Sequence, residues 1–453
     1  MMKKIFALVL AVVMVLAMGA TAFAADGDLV TDGIVGNFTQ ADTTNYNGNA
    51  VILYKEITAY NKDGKSVNAP TIDYYYTITG LAGGTSVKDA GGTDLHATGN
   101  AVEVTTKDAS SITATIAGSK NGTDYENGKL ALDPTVSLNA SENGTANKFN
   151  LKVTFTESAF TSAGVYRFKI EETTDEATKN SAGIKEGSGE NTLYLDVYVK
   201  DKDATTAGQY IYGYVLFTNN VAIDGTDATA AGKVEGFVDT NSSETNSTAD
   251  EYFTFNLKVS KTLEGDSFSN DHDFPFHVNF KNSSVTSAIV IKTESSENGA
   301  VATAGSLPSG TLSAAETGIA ATPGIDHQSY VTYVGVPVGI TAATTAEVYE
   351  NNDVTGTTYV SKYKIDDAAE AGTKSINWTG DTSKSNVATL TSITMNAKDN
   401  VSHVIGFTNS LEIISPTGVA LRIAPYVGML VAGIALIVVV VVKRRKNEEE
   451  AEA

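Results

Sequence analysis

Cysteine is absent from all 453 residues. No disulfide can therefore staple this chain, and no thiolate can hold zinc or act as a nucleophile. Histidine is nearly absent too: His96, His272, His277, His327 and His403 are scattered and form no metal-ligand or nucleophile–base spacing. No phosphate-binding glycine loop is present either, so neither an enzyme nor a cofactor is expected. Basic charge is scarce, with 32 Lys and Arg against 53 Asp and Glu and a net charge of −21. That balance argues against nucleic acid and against anionic membrane surfaces as partners. Amphipathic helices are missing between residues 25 and 417. Tryptophan occurs once, at Trp378; with the Tyr-rich runs it could stack on sugars, although buried strand aromatics account for most such residues.

Long apolar runs occur only at the two ends. At the N-terminus Lys3 and Lys4 precede an apolar run that closes on Ala22-Phe23-Ala24. This is a secretory signal peptide, residues 1–24, rather than structure. At the other end, residues 423–442 are apolar and are followed at once by Lys443, Arg444, Arg445 and Lys446. A helix of that length, at about 1.5 Å per residue, reaches across a bilayer core of roughly 30 Å. The basic cluster keeps the tail cytoplasmic. The chain is read as exported and held by its C-terminus.

What lies between is rich in Thr, Ser, Asn, Gly and Ala, with Tyr, Val and Phe in short alternating runs. VILYKEI (51–57), DYYYTI (73–78), FNLKVTF (149–155), VYRFKI (165–170), TLYLDVYV (192–199) and YIYGYVLF (210–217) read as strands between polar turns. FTFNLKV (253–259), DFPFHVNF (273–280), SYVTYVGV (329–336) and SHVIGF (402–407) form a second set. The polar stretch NSSETNSTADE (241–251) separates them as a linker. The expected organisation is a β-sandwich over 25–240, the linker, a second β-sandwich over 252–412, and a C-terminal signal over 413–453.

Alternation places some charges on the wrong face. Alternate residues of a strand share one side, so Lys55 falls in the row Val51, Leu53, Ile57, and Lys261 in the row Leu257, Val259, Leu263. Glu172 follows Tyr166, Phe168 and Ile170, and Glu350 follows Ala346 and Val348. Each half ends with a short acid or amide two residues after a Phe: Asp239 after Phe237, and Asn409 after Phe407. The order Lys, Glu, Asx thus occurs twice, pointing inward. Burial favours the neutral amine of Lys and the protonated form of Glu. A neutral amine held against a side-chain carbonyl gains a large effective molarity for attack, with Glu shuttling protons. The product is an amide cross-link, releasing ammonia from Asn or water from Asp, once per chain. A buried ion pair without a bond is the plainer alternative.

At these residues the chain resembles the Gram-positive sortase-assembled pilin family, close to the streptococcal major backbone pilins. The stretches that carry the resemblance are VILYKEITAYNKDGKSVNAPTIDYYYTI, AGVYRFKIEE, TLYLDVYVKD, LKVSKTLEGD and GFTNSLEIISPTG. The resemblance implies tandem immunoglobulin-like, CnaB-type β-sandwiches, each locked by an isopeptide bond. It assigns Lys55 and Lys261 as the bonding lysines and Glu172 and Glu350 as the assisting acids, with Glu347 a rival to Glu350 because the region PVGITAATTAEVYE is longer than the family pattern. Asn409 takes the position of the family Asn; Asp239 stands where the family usually has Asn, which leaves Asn219 as a rival partner for Lys55.

Pro416-Thr417-Gly418, the apolar span and the basic tail together are similar to a cell-wall sorting signal. The implied sortase cut lies between Thr417 and Gly418, in a segment that Pro416 should keep extended. The acceptor lysine of a neighbouring subunit is expected at Lys233, in AAGKVEGFVD. The implied protein is a pilus backbone subunit at the cell surface, with a sortase, neighbouring pilin subunits and peptidoglycan as partners. A non-polymerised wall-anchored adhesin, or a module binding a host or glycan ligand, is the alternative.

Overall fold

The computed structural model describes residues 50–86, 105–156, 159–202, 208–218, 234–240, 247–265, 274–289, 291–297, 300–302, 310–311, 318–325, 327–350, 353–354, 357–358, 360–366, 371–372, 387–393, 402–410 and 416–451. The signal peptide, Lys233, Asn219 and Trp378 lie outside the described residues.

The N-terminal unit contains β1 (Ala50–Asn61), β2 (Ile72–Gly80), β3 (Ala114–Ser119), β4 (Lys129–Leu132), β5 (Thr145–Phe155) and β6 (Gly164–Glu172). A short helix, α1 (Glu176–Ser181), follows, then β7 (Ile184–Lys185), β8 (Thr192–Asp201), β9 (Gln209–Phe217) and β10 (Gly236–Phe237). One sheet runs β1–β5–β3; the facing sheet has the order β9–β8–β6–β2–β4. Alternation explains the core between them. Val51, Leu53 and Ile57 of β1, Phe149, Leu151 and Val153 of β5, and Tyr166, Phe168 and Ile170 of β6 are buried in one cluster, while the residues alternating with them in β5 are half-exposed.

The C-terminal unit begins with β11 (Asp250–Glu264), followed by β12 (Phe274–Lys281), β13 (Gly318–Ile325), β14 (Tyr330–Pro337) and β15 (Thr344–Glu350). It ends with β16 (Val360–Ile365), β17 (Val387–Ile393) and β18 (His403–Ser410). In one sheet β11 pairs with β14 and β18, and β18 with β16. The facing sheet has the order β13–β12–β15–β17. Phe255, Leu257 and Val259 pack against Phe276, Val278 and Phe280 in its core. Both units are immunoglobulin-like β-sandwiches in an all-β chain, and every stretch assigned to strand by alternation overlaps one of these strands.

Strand β11 belongs to both units. Residues 250–254 pair in parallel with 57–61 of β1, and residues 257–264 pair in parallel with β18. Asp250 and Glu251, the last residues of the stretch read as a linker, therefore already stand in this strand. Polar contacts close the junction. Asn61 and Asn256 exchange hydrogen bonds at 2.9 and 3.0 Å, and Asn256 also donates to Asp63 Oδ2 at 2.6 Å and accepts from the Gly335 N–H at 3.1 Å. Tyr60 stacks on Phe253, with ring centres 4.4 Å apart.

One helix, α2 (Pro416–Ala451), closes the chain. Its segment Tyr426–Arg445 is long and apolar enough to cross a membrane. Pro416, Thr417 and Gly418 form its first turn instead of the extended segment anticipated from Pro416. Proline suits that position, because its fixed φ is helical and the N–H it lacks has no partner in a first turn.

Candidate functional site

In the C-terminal unit one sheet supplies three neighbouring side chains. Lys261 on β11 pairs in register with Phe407 on β18, and Asn409, two residues on, faces the same side. Asn409 in turn stands opposite Ser361 of β16. The facing sheet contributes Glu350, the last residue of β15. All four side chains are buried. Glu350 Oε1 is in contact with Lys261 Nζ and accepts from Asn409 Nδ2 at 2.9 Å. Ser361 Oγ lies 2.9 Å from Glu350 Oε2 and hydrogen-bonds to Asn409 Oδ1. The Phe274 ring sits 4.1 Å from Lys261 Nζ. Burial pulls the Lys261 ammonium down to about 8, against the opposing pull of Glu350. Glu347 on the same strand is only half-buried.

The N-terminal unit repeats this geometry with different groups. Lys55 pairs in parallel with Phe237 of β10, which would bring Asp239 opposite Ile57. The chain instead leaves the ladder after Phe237 and returns at Asp250, which takes the place opposite Ile57. Asp250 thus stands to Lys55 as Asn409 stands to Lys261. Lys55 Nζ is 2.8 Å from Asp250 Oδ2 and 2.9 Å from Glu172 Oε2. Asp239 Oδ1 accepts from the Thr248 N–H and hydroxyl, both at 3.0 Å, and so ties down the returning loop.

A second lysine enters this cluster. Asp175 caps α1 by accepting from the Thr178 N–H, and the helix turns Lys179 fully inward. Lys179 Nζ is 2.7 Å from Glu172 Oε1, 2.8 Å from Glu186 and 3.4 Å from Asp250. Burial pushes the Asp250 carboxyl up, but Lys55 and Lys179 outweigh it and hold the group below the usual carboxylate range. Burial likewise opposes the Lys179 charge, yet Glu172 and Asp250 raise it above an ordinary lysine. A cavity of about 300 Å³ opens beside Lys55 and Asp250, lined in part by Ser188, Asn191, Thr240 and Thr248.

Alternation located Lys55, Glu172, Lys261, Glu350 and Asn409 and brought each lysine to its glutamate. It missed Lys179, because a six-residue helix is too short to show a 3.6-residue period. It missed Asp250, because an excursion from the ladder leaves no mark in the pattern. Ser361 had a readable signal: Ser361, Tyr363 and Ile365 alternate with exposed Lys362 and Lys364. Among the described residues, no group of His, Asp and Glu is arranged to hold a metal ion.

No protein family matches the chain at the sequence level, and no curated protein does. Several solved structures are similar in part. The major pilin of Streptococcus pyogenes is 15% identical, with a TM-score of 0.34 over 80% of this chain and 99% of that one. The major pilin T3.2 of the same species is 16% identical, with a TM-score of 0.33 over 80% of this chain and 100% of that one. A pilus-presented adhesin, Cpa, is 13% identical, with a TM-score of 0.25 over 79% of this chain and 100% of its own. TM-scores this low carry no functional argument, which rests on the residues above.

Proposed function

We propose that this chain is a pilin-like structural subunit of the cell surface, exported, cut by a sortase between Thr417 and Gly418, and locked in its C-terminal unit by an amide between Lys261 and Asn409. The observation that carries the bond is the position of Glu350. A single oxygen, Oε1, touches both the amine that would attack and the amide nitrogen that would leave. Transfer of a proton from the Lys261 ammonium to Glu350 yields a neutral amine beside a neutral amide, the pair that reacts. The sandwich brings both against one oxygen of Glu350, which replaces the improbability of a bimolecular encounter. The reaction runs once and releases ammonia.

The N-terminal unit is read differently. Two lysines, Lys55 and Lys179, face three carboxylates, Glu172, Asp250 and Glu186. Lys179 and Asp250 hold each other in their charged forms, and a carboxylate resists attack by an amine. This unit is held by an ionic cluster.

The test has two arms. Residues 25–417, made recombinantly, should fall short of the sequence mass by one ammonia, and Lys261→Ala should restore the full mass. An unchanged wild-type mass refutes the bond, and the further loss of one water is expected only if Lys55 is joined to an acid as well. On cells, wall-hydrolase extracts run under denaturing conditions should give a ladder. A single band would instead identify a wall-anchored adhesin that is not polymerised.

A further inference from the structure

Ser361 is a fully buried hydroxyl that the scheme above does not use. It stands directly across the β16–β18 ladder from Asn409, and its Oγ contacts both Asn409 Oδ1 and Glu350 Oε2. A hydroxyl has one proton to give. If Ser361 donates it to Asn409 Oδ1, the 2.9 Å contact with Glu350 Oε2 is a hydrogen bond only when that oxygen carries a proton. That is the neutral acid produced when Lys261 gives its proton to Glu350 and the carboxyl carries it on Oε2, leaving Oε1 open toward both nitrogens. The chain Glu350 Oε2–H, Ser361 Oγ–H, Asn409 Oδ1 therefore suits the reactive state.

Resting on the Lys261–Asn409 reading, we infer that Ser361 is a catalytic residue of the cross-linking reaction, an oxyanion donor aimed at Asn409 Oδ1. As Lys261 Nζ bonds to the Asn409 side-chain carbon, the carbonyl electron pair moves onto Oδ1, where the Ser361 hydroxyl meets it. A proton passes from Glu350 Oε2 through Ser361 to Oδ1 and returns when the carbonyl re-forms, so Ser361 ends unchanged. Glu350 Oε1 takes one proton from the attacking nitrogen and gives it to Nδ2, and the carbon–Nδ2 bond breaks to release ammonia. Lys261 enters as an ammonium and Glu350 as a carboxylate; the products are the amide, ammonia and a neutral Glu350. Carboxylate and hydroxyl thus divide the work, one moving protons between nitrogens and the other holding the oxygen.

The test uses the full chain made by timed cell-free synthesis, with the joined Lys261–Asn409 peptide measured in digests. Ser361→Thr and Ser361→Val have nearly the same shape and differ in the hydroxyl. Loss of one oxyanion donor costs about 100-fold or more in rate. Ser361→Thr should cross-link near the wild-type rate, and Ser361→Val should be slower by about that factor. Ser361→Ala, which is smaller than the native residue, should be slowed likewise. Equal rates for the Thr, Val and Ala variants overturn the inference. A wild-type chain that never yields the joined peptide overturns the Lys261–Asn409 reading itself, and the Ser361 role falls with it.

Discussion

Lys261 and Lys55 occupy matching places on their first strands, each beside a glutamate from the facing sheet. Their surroundings differ in charge: Lys261 has one carboxylate and a neutral amide, whereas Lys55 shares Glu172 and Asp250 with Lys179, which also meets Glu186. The difference should be visible in the pH dependence of stability. In Asn409→Ala the bond cannot form and Lys261 stays a free amine, titrating near 8 in the folded chain against 10.5 for an ordinary lysine. Below about 8 both folded and unfolded states hold the proton, and stability is flat with respect to this group. Between about 8 and 10.5 the unfolded state holds a proton that the folded state lacks, so stability rises with pH. The rise amounts to ~3 kcal/mol at most. In the cross-linked wild type the amide nitrogen does not titrate, so the difference between the two denaturant-unfolding curves isolates Lys261. A constant difference from pH 7 to 11 would show that the amine is not held neutral.

At the scale of elements, β11 decides both what was legible and what was not. Its second half reads well: Leu257, Val259, Lys261 and Leu263 point inward because alternation and burial say the same thing. Its first half reads poorly, since Asp250 and Glu251 look like the end of a polar tether. Only pairing with β1 makes Asp250 a buried residue and substitutes it for Asp239. A side chain's facing is local and is written in the sequence, whereas which strand completes a ladder depends on residues far apart in the chain. The Lys179 helix is too short to show even its local period, and Asp250 depends on a ladder partner far away in the chain. The same junction should resist loosening. Asn256→Ala would leave Asn61 and the Gly335 N–H short of buried partners. Unsatisfied buried groups cost about 1–3 kcal/mol, so thermal unfolding should shift downward by an amount of that order. Solution scattering should also report a wider spread between the units. An unaltered melting temperature and profile would mean that strand pairing alone fixes the junction.

Across the whole molecule, the proposed amide changes what a pulling force can reach. Force applied through residue 417 enters β18, and the Lys261–Asn409 bond passes it directly to β11. Residues 262–408 then lie outside the loaded path. From β11 the force meets the N-terminal unit along 250–254, which run parallel to β1, with Asp250 gripped by Lys55 and Lys179. Ionic contacts and a parallel ladder resist shear, but they break without chemistry, so the two units should fail differently. When residues 25–417 are stretched between their ends in a single-molecule instrument, the wild type should show one unfolding extension, that of the N-terminal unit. Lys261→Ala should show a second extension matching release of 262–408. Two extensions in the wild type would remove the covalent lock from the force path. None at all would mean that Lys55 and Asp250 are also joined, leaving the chain tied along β1, β11 and β18.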